Sequence, residues 1–274
     1  MEEFWARYME PSGQLGPNYW EHFAERLVQL VNINNNSIIL DIGTYDGNVL
    51  LKAMKKMEML GFGVGADIYY GGFKDGVKDV MEQELEEYIA FVQTDANALG
   101  FLSEKFDTVL ANFVGWDDCF DFERLEFISS DKMMSEIRRV LRPGGQVGIG
   151  AWVEQRDIDW IIDAFKKYLP ENHQDIACYA KENPEGQKII LQNSGFEDIW
   201  VHVETTNFML PDAEIWWRQM RQAASEYFRQ ISDPNTLENF KQQVLADLRN
   251  FQYSEGIQFS KTVSFAFGTK HIIH

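Results

Sequence analysis

Twelve residues near the start of the chain, Ser37 to Asn48, hold the side chains best placed to do chemistry. They read S-I-I-L-D-I-G-T-Y-D-G-N. An acid, Asp41, follows the apolar run Ile38-Ile39-Leu40, and Gly43 and Gly47 punctuate the turn after it. A second acid, Asp67, closes the run Gly61 to Ala66, 24 residues beyond Gly43. A carboxylate at that distance, at the tip of a second strand, can accept hydrogen bonds from both hydroxyls of a ribose. A third acid, Asp95, is followed by the small residue Ala96, and Asn112 ends the run Phe106 to Ala111. A glycine turn between strand and helix offers free N–H groups and a positive helix end, so this stretch either cradles a nucleotide-type cofactor or is a plain structural turn, and Asp95 taken alone also suits a helix or turn cap.

Residues of this kind need strands and helices to present them. Ile38-Ile39-Leu40 predicts a strand buried on both faces, and Val49-Leu50-Leu51 with Ala53 and Met54 predicts the helix that follows. Strands are expected again at Gly61–Asp67, Tyr88–Thr94, Phe106–Asn112 and Gln146–Trp152, with a polar helix from Lys74 to Glu87. Met133, Met134, Ile137, Val140 and Leu141 form an apolar helical stripe that Arg142-Pro143-Gly144-Gly145 breaks. Helix, loop and helix are expected over 153–194, then strands at Ile199–Thr206 and Lys261–Lys270. Between these strands lie two helical stripes, one through Ile215, Trp216, Met220, Ala223 and Tyr227, the other through Leu237, Phe240, Val244, Leu248 and Phe251.

These motifs, in this order, resemble class I S-adenosylmethionine-dependent methyltransferases. The resemblance covers residues 37–152 closely and 195–270 loosely. It rests on the Gly43/Gly47 loop, Asp67, Asp95-Ala96, the F-D-x-V pattern at Phe106–Val109, and Leu141-Arg142-Pro143-Gly144-Gly145. The family carries three alternating glycines in the first loop, and Tyr45 replaces the middle one here. The Gly-x-Tyr-x-Gly form looks like the loop of catechol-type O-methyltransferases. The resemblance implies an α/β, Rossmann-like, seven-stranded, mostly parallel sheet with its last strand antiparallel, plus a helical lid. It divides the chain into a lead-in or lid over residues 1–36 and a methyltransferase domain over 37–274, with a helical insertion at about 207–252. The implied cofactor is S-adenosyl-L-methionine. Carried over residue by residue, its site holds Asp41, Gly43, Thr44, Tyr45, Gly47, Asp67, Ile68, Asp95, Ala96, Asn112 and Phe113.

The implied function is methyl transfer to an O, N or C nucleophile of a small molecule. Two alternatives remain: an aminopropyltransferase-like enzyme, or a non-catalytic cofactor- or partner-binding protein on the same fold. Asp117 and Asp118 either attract a cationic amine acceptor or take a proton, or are solvated loop acids. His173 is a candidate base or a surface histidine, and His22 suits a hydrogen-bonded structural role. Trp216 and Trp217 either form an aromatic cage for a cation or pack in the core. Adenine- and glutamine-directed relatives carry Asn-Pro-Pro-Tyr after the fourth strand, whereas this chain has Asn112-Phe113-Val114-Gly115. The Mg²⁺ ligands of the catechol-type enzymes are replaced by Asn112 and by Trp152-Val153-Glu154, so no metal is expected.

The bulk numbers set the remaining bounds. Hydrophobic residues make up 45% of the 274, ample for a core, and the net charge of −18 opposes nucleic acid and anionic membrane surfaces. No apolar run approaches the roughly 20 residues of a membrane span. Cys119 and Cys178 make no disulfide framework, which with the acidic N-terminus suggests a cytoplasmic protein.

Overall fold

The computed structural model describes residues 19–170, 181–254 and 256–271. The lead-in expected over residues 1–36 is described only from residue 19 on, and His173 and Cys178 lie outside the described residues. The described residues fall into two compact units. One holds Trp20–Val153, Lys181–Val203 and the chain from Val263. The other holds Tyr19, the chain from Glu154 through the helix that follows it, and Glu204–Thr262.

In the first unit, helix α1 (Tyr19–Leu30) buries Phe23, Ala24, Leu27 and Val28, residues at helical spacing along one face. Strand β1 (Ile38–Ile42) is the apolar run expected, and Ile39, Leu40 and Ile42 are almost fully buried. Then come α2 (Asn48–Lys56), β2 (Phe62–Asp67), α3 (Phe73–Glu82) and β3 (Ile89–Gln93). Helix α3 stops short of the predicted Glu87 because Glu84 takes a left-handed backbone (φ 57°). Strand β4 (Phe106–Asn112) is followed by a short hairpin, β5 (Phe120–Asp121) with β6 (Glu126–Phe127). Helix α4 (Lys132–Val140) buries Met133, Met134, Ile137 and Val140, as its stripe predicts. Asp131 caps it by accepting the Met134 N–H.

Strand β7 (Leu141–Gln155) follows, then α5 (Arg156–Tyr168), α6 (Pro184–Asn193) and β8 (Phe196–Leu210). Helices α7 (Ala213–Ala223), α8 (Ser225–Phe228) and α9 (Pro234–Leu248) precede β9 (Gln252–Tyr253) and β10 (Gly256–Lys270). In the second unit, α5, α7, α8 and α9 share one core. Trp216, Trp217, Phe165, Phe228 and Phe240 lie within it, so both tryptophans pack and neither forms an exposed cage.

The sheet runs β3-β2-β1-β4-β7-β10-β8, with β9 paired to β10. It is mostly parallel with antiparallel strands at its end, the mixed architecture the motif order implied. Strands β7, β8 and β10 each run 15 residues, longer than the apolar patterns alone suggested. Strand β1 pairs in parallel with β2 on one side (Asp41 opposite Gly65) and with β4 on the other (Asp41 opposite Leu110). Strand order therefore reverses between β1 and β4. Ligands of open α/β sheets bind beyond the carboxyl ends of the strands at such a reversal. Arg142 anchors the opposite end. Its guanidinium meets Asp107 Oδ1 at 2.7 Å, while Asp107 Oδ2 accepts the Ile38 N–H at 2.7 Å.

Candidate active site

The carboxyl ends of β1, β2 and β4 carry most of the residues picked out from the sequence. The turn after β1 is laced to β2 by its own backbone. The Gly43 and Thr44 N–H groups both donate to the Ala66 carbonyl, at 2.8 and 3.2 Å, and Tyr45 N–H donates to Asp67 Oδ2 at 3.0 Å. Gly43 and Gly47 have φ of 68° and 80°, where a side chain is strained. A Cβ on Gly43 would also lie 2.8 Å from Val114 Cγ2, and one on Gly47 would lie 2.8 Å from the Phe91 ring. Tyr45 shares the left-handed conformation at φ 48°. Gly47 leads into α2, and Asp46 Oδ1 takes the Asn48 N–H at 3.1 Å.

Asp41 lies beneath this turn, 1% exposed. Burial raises its carboxyl to about 7, a rise that the Thr44 hydroxyl opposes and that the Asp67 and Asp46 carboxylates reinforce. Thr44 Oγ1 donates to Asp41 Oδ2 at 2.6 Å. Asp41 thus fixes the turn from below.

At the tip of β2, one Asp67 oxygen bonds the turn and the other bonds the chain just beyond the strand. Oδ2 accepts from Tyr45 N–H and Oδ1 from Tyr69 N–H at 2.9 Å, and the side chain remains partly exposed. The Tyr45 ring stacks parallel to Tyr69 (centroids 6.4 Å, planes 6° apart) and covers Gly72. Ile68 is about half exposed, and its carbonyl accepts from Gln93 Nε2. Past β3, Asp95 is exposed and closes a turn by accepting Asn97 N–H at 2.8 Å, while Ala96 packs on the core.

Beyond β4 the chain turns sharply: Phe113 has φ 60° and Gly115 φ 90°. Phe113 N–H donates to the Gly150 carbonyl at 2.7 Å. Asn112 Oδ1 is buried with no hydrogen-bond partner among the described residues. The Phe113 ring stacks on Trp152 (4.0 Å, 10°), and Trp20 of α1 meets both edge-on at 5.4 and 5.5 Å. Asp117 and Asp118 follow on an exposed loop. His22 is only partly buried, its ring edge-on to Phe23 at 5.0 Å.

Sequence reasoning missed three contributors here. Trp20 and Trp152 become an aromatic wall only through the fold. Glu182, just ahead of α6, is 2% exposed. Its Oε1 accepts Trp116 N–H at 2.6 Å, and its own N–H donates to the Trp152 carbonyl at 2.9 Å. Burial, with Asp117 nearby, raises its carboxyl to about 7 although the Trp116 N–H pulls the other way. Nothing local distinguishes it from a surface acid before a helix. Among the described residues, no cluster of three or more His, Cys, Asp or Glu has the geometry to hold a metal.

Residues 39–145 match the family model described as a methyltransferase domain. The ubiquinone/menaquinone biosynthesis C-methyltransferase of Methylococcus capsulatus is 25% identical over 194 residues, 65% of this chain and 73% of that protein. Two solved structures share the fold. The Bacillus subtilis YcgJ protein has TM-score 0.57 and 13% identity, with 91% of this chain and 99% of that one covered. A Haemonchus contortus phosphoethanolamine N-methyltransferase, solved with S-adenosylhomocysteine, has TM-score 0.53 and 19% identity, with 93% of this chain and 54% of that one covered. Glycine turn, acidic strand tips, sheet order and the match of residues 39–145 to a methyltransferase domain agree in supporting a class I S-adenosylmethionine-dependent methyltransferase.

Proposed function

We propose that this protein moves a methyl group to an O, N or C nucleophile of a small molecule by in-line displacement. The observation that carries the reading is Asp67. Its carboxylate stands at the tip of β2, held by the Tyr45 and Tyr69 N–H groups and still reachable by a ligand. Each carboxylate oxygen offers more than one acceptor site, so both can also receive ribose hydroxyls. The donor set around it fits an adenosyl group. Gly43, Thr44, Tyr45 and Gly47 would line the amino-acid end, over Asp41. Ile68 would flank the adenine, with Asp95 taking its amine and the Ala96 N–H a ring nitrogen. Asn112 and Phe113 would border the sulfur, and the unpartnered Asn112 Oδ1 suits a donor from the ligand.

When bound, S-adenosylmethionine supplies an electrophilic methyl on a sulfonium. The protein's own part is to hold and align. Alignment of two reacting groups is worth up to about 7–11 kcal/mol in favourable cases. Asp41, Thr44 and the β2 carbonyl hold the turn rigid, and the Phe113–Trp152 stack walls off water beside the crevice. The relatives above are named for C- and N-methyl transfer, which supports a choice among acceptor atoms without fixing one. Calorimetric titration with S-adenosylhomocysteine tests the reading: binding in the micromolar range is expected, and no heat at millimolar ligand would overturn it.

A further inference from the structure

The second unit holds a cleft of its own. Its volume is about 490 Å³, within the range of small-ligand pockets, and every residue that lines it belongs to that unit. None of them is a residue proposed above to hold the cofactor. The floor is aromatic. Phe251 and Phe259 stack at 4.8 Å with planes 21° apart, and Trp160 meets Phe251 edge-on at 5.5 Å. Trp160 also packs edge-on against Trp216, which is fully buried in the helical core, at 5.3 Å. The floor is therefore braced from behind, while Trp160 and Phe251 are only half-buried and keep ring surface for a ligand.

The walls are acidic. The charged residues that line the cleft are Glu154, Arg156, Asp159 and Asp163. Arg156 Nε pairs with Glu154 Oε1 at 3.0 Å, so the one base is matched within the cleft. Asp159 and Asp163 stand four residues apart on α5, which puts them on one helix face, where like charges repel. Lys261 lies near enough to feel Asp159, but its ammonium is already bound by both Asp157 oxygens, at 2.7 and 2.8 Å. Asp163 is exposed and makes no ion pair among the described residues. Such walls repel phosphate and carboxylate ligands. A small, strongly hydrated metal ion gains nothing from the rings, and among the described residues no cluster of His, Cys, Asp or Glu has the geometry to hold one. An organic ammonium ion gains from both parts: the carboxylates take its charge and the ring faces take its body.

We infer that this cleft binds a small organic ammonium ion, with the charge held by Asp159 and Asp163 and the apolar body lying on Trp160 and Phe251. The inference does not rest on the methyl-transfer reading. It concerns binding alone, and no bond is made or broken.

The test uses the full chain with phenethylammonium as the probe, which is charged at neutral pH, and 2-phenylethanol as its uncharged counterpart of similar size. Ligand-observed NMR gives both affinities. The indole N–H resonance of Trp160, identified by its loss in Trp160→Phe, reports the place of binding. Phenethylammonium is expected to bind about tenfold tighter than phenylethanol and to shift that resonance. Asp163→Asn should weaken the ammonium about threefold, and Asp159→Asn added to it about tenfold, with phenylethanol unchanged in both. Asp163→Asn alters an exposed side chain, and the wild-type comparison of the two probes needs no variant, so the test survives if the double variant unfolds. Saturating S-adenosylhomocysteine should leave the probe's affinity unchanged. Equal binding of the two probes, absence of binding, an unmoved Trp160 resonance at saturation, or full affinity in Asp163→Asn overturns the inference. So does displacement of the probe by S-adenosylhomocysteine, which would put the probe in the cofactor crevice, or by magnesium chloride at matched ionic strength, which would mark a metal site.

Discussion

Replacing Asp41 by Asn separates the electrostatics of the cofactor turn from its shape. Asp41 is 1% exposed and its carboxyl is raised from 3.8 to about 7, chiefly by burial. The sign follows from proton counting. Between those two values the folded chain keeps a proton that the unfolded chain has lost. The folded state binds more protons there, so stability falls as pH rises, and the full penalty is present above about 7. Each pH unit inside the window costs about 1.4 kcal/mol, so the step from about pH 5 to about pH 8 removes about 2–3 kcal/mol. The amide introduced by Asp41→Asn cannot ionise, yet its oxygen can still accept the Thr44 hydroxyl that now reaches Asp41 at 2.6 Å. Urea denaturation of both proteins at the two pH values supplies the assay. The variant should gain about 2–3 kcal/mol relative to wild type on going from the lower to the higher pH. Contributions from other titrating groups, Glu182 included, cancel in that comparison. A difference that stays flat across the two pH values would show that Asp41 ionises freely, and that burial beneath the turn does not set its charge.

Other substitutions probe the remaining parts. Asp67→Ala removes the acceptor for Tyr45 N–H and Tyr69 N–H as well as the expected ribose contacts, and should weaken S-adenosylhomocysteine binding by about 1–3 kcal/mol in calorimetry. Trp217→Ala should cost about 3–5 kcal/mol in chemical denaturation, because the ring packs edge-on to Phe228 at 5.2 Å inside the helical core. Lys261 Nζ meets Asp157 Oδ1 at 2.7 Å with both side chains buried. Lys261→Met should cost about 3–5 kcal/mol by stranding that acid, and adding Asp157→Leu should restore much of the loss.

The parts of the fold that declared themselves in the sequence are those whose pattern is set by burial on both faces. Ile38–Ile42, Phe62–Asp67 and Phe106–Asn112 sit side by side at the sheet's centre, and continuous apolar runs betray such strands. Pro143 and the glycines after it, read as a turn before the strand, fall inside the first residues of β7, where its register against β4 shifts between Phe106 and Thr108. Strand β8 was legible only in its middle, because exposed and half-buried residues alternate to both ends and no apolar run marks where it starts or stops. The site divides in the same way. Gly43, Asp67 and Asn112 are strand-tip residues, so finding the strands finds them. Glu182 owes its burial to Trp116, 66 positions earlier, a partner no window of sequence contains. The Trp20–Phe113–Trp152 wall is assembled from three separate elements and is invisible for the same reason.

Tyr45, the one departure from the glycine pattern, shows how a local rule can be broken and repaired. A left-handed backbone costs a non-glycine residue about 1–2 kcal/mol. Tyr45 adopts it at φ 48°, so the turn keeps the path that a glycine would have given it. Its N–H donates to the Asp67 carboxylate at 3.0 Å. A hydrogen bond to a charged acceptor is worth about 1.5–3 kcal/mol, enough to offset the strain. The ring then covers Gly72 and stacks on Tyr69, whose N–H holds the other Asp67 oxygen. Glycine at this position would relieve the strain but lose the ring, and it would cost more entropy to order. The tyrosine therefore ties the turn after β1 to the tip of β2 through the Asp67 carboxylate, the group proposed above to take the ribose.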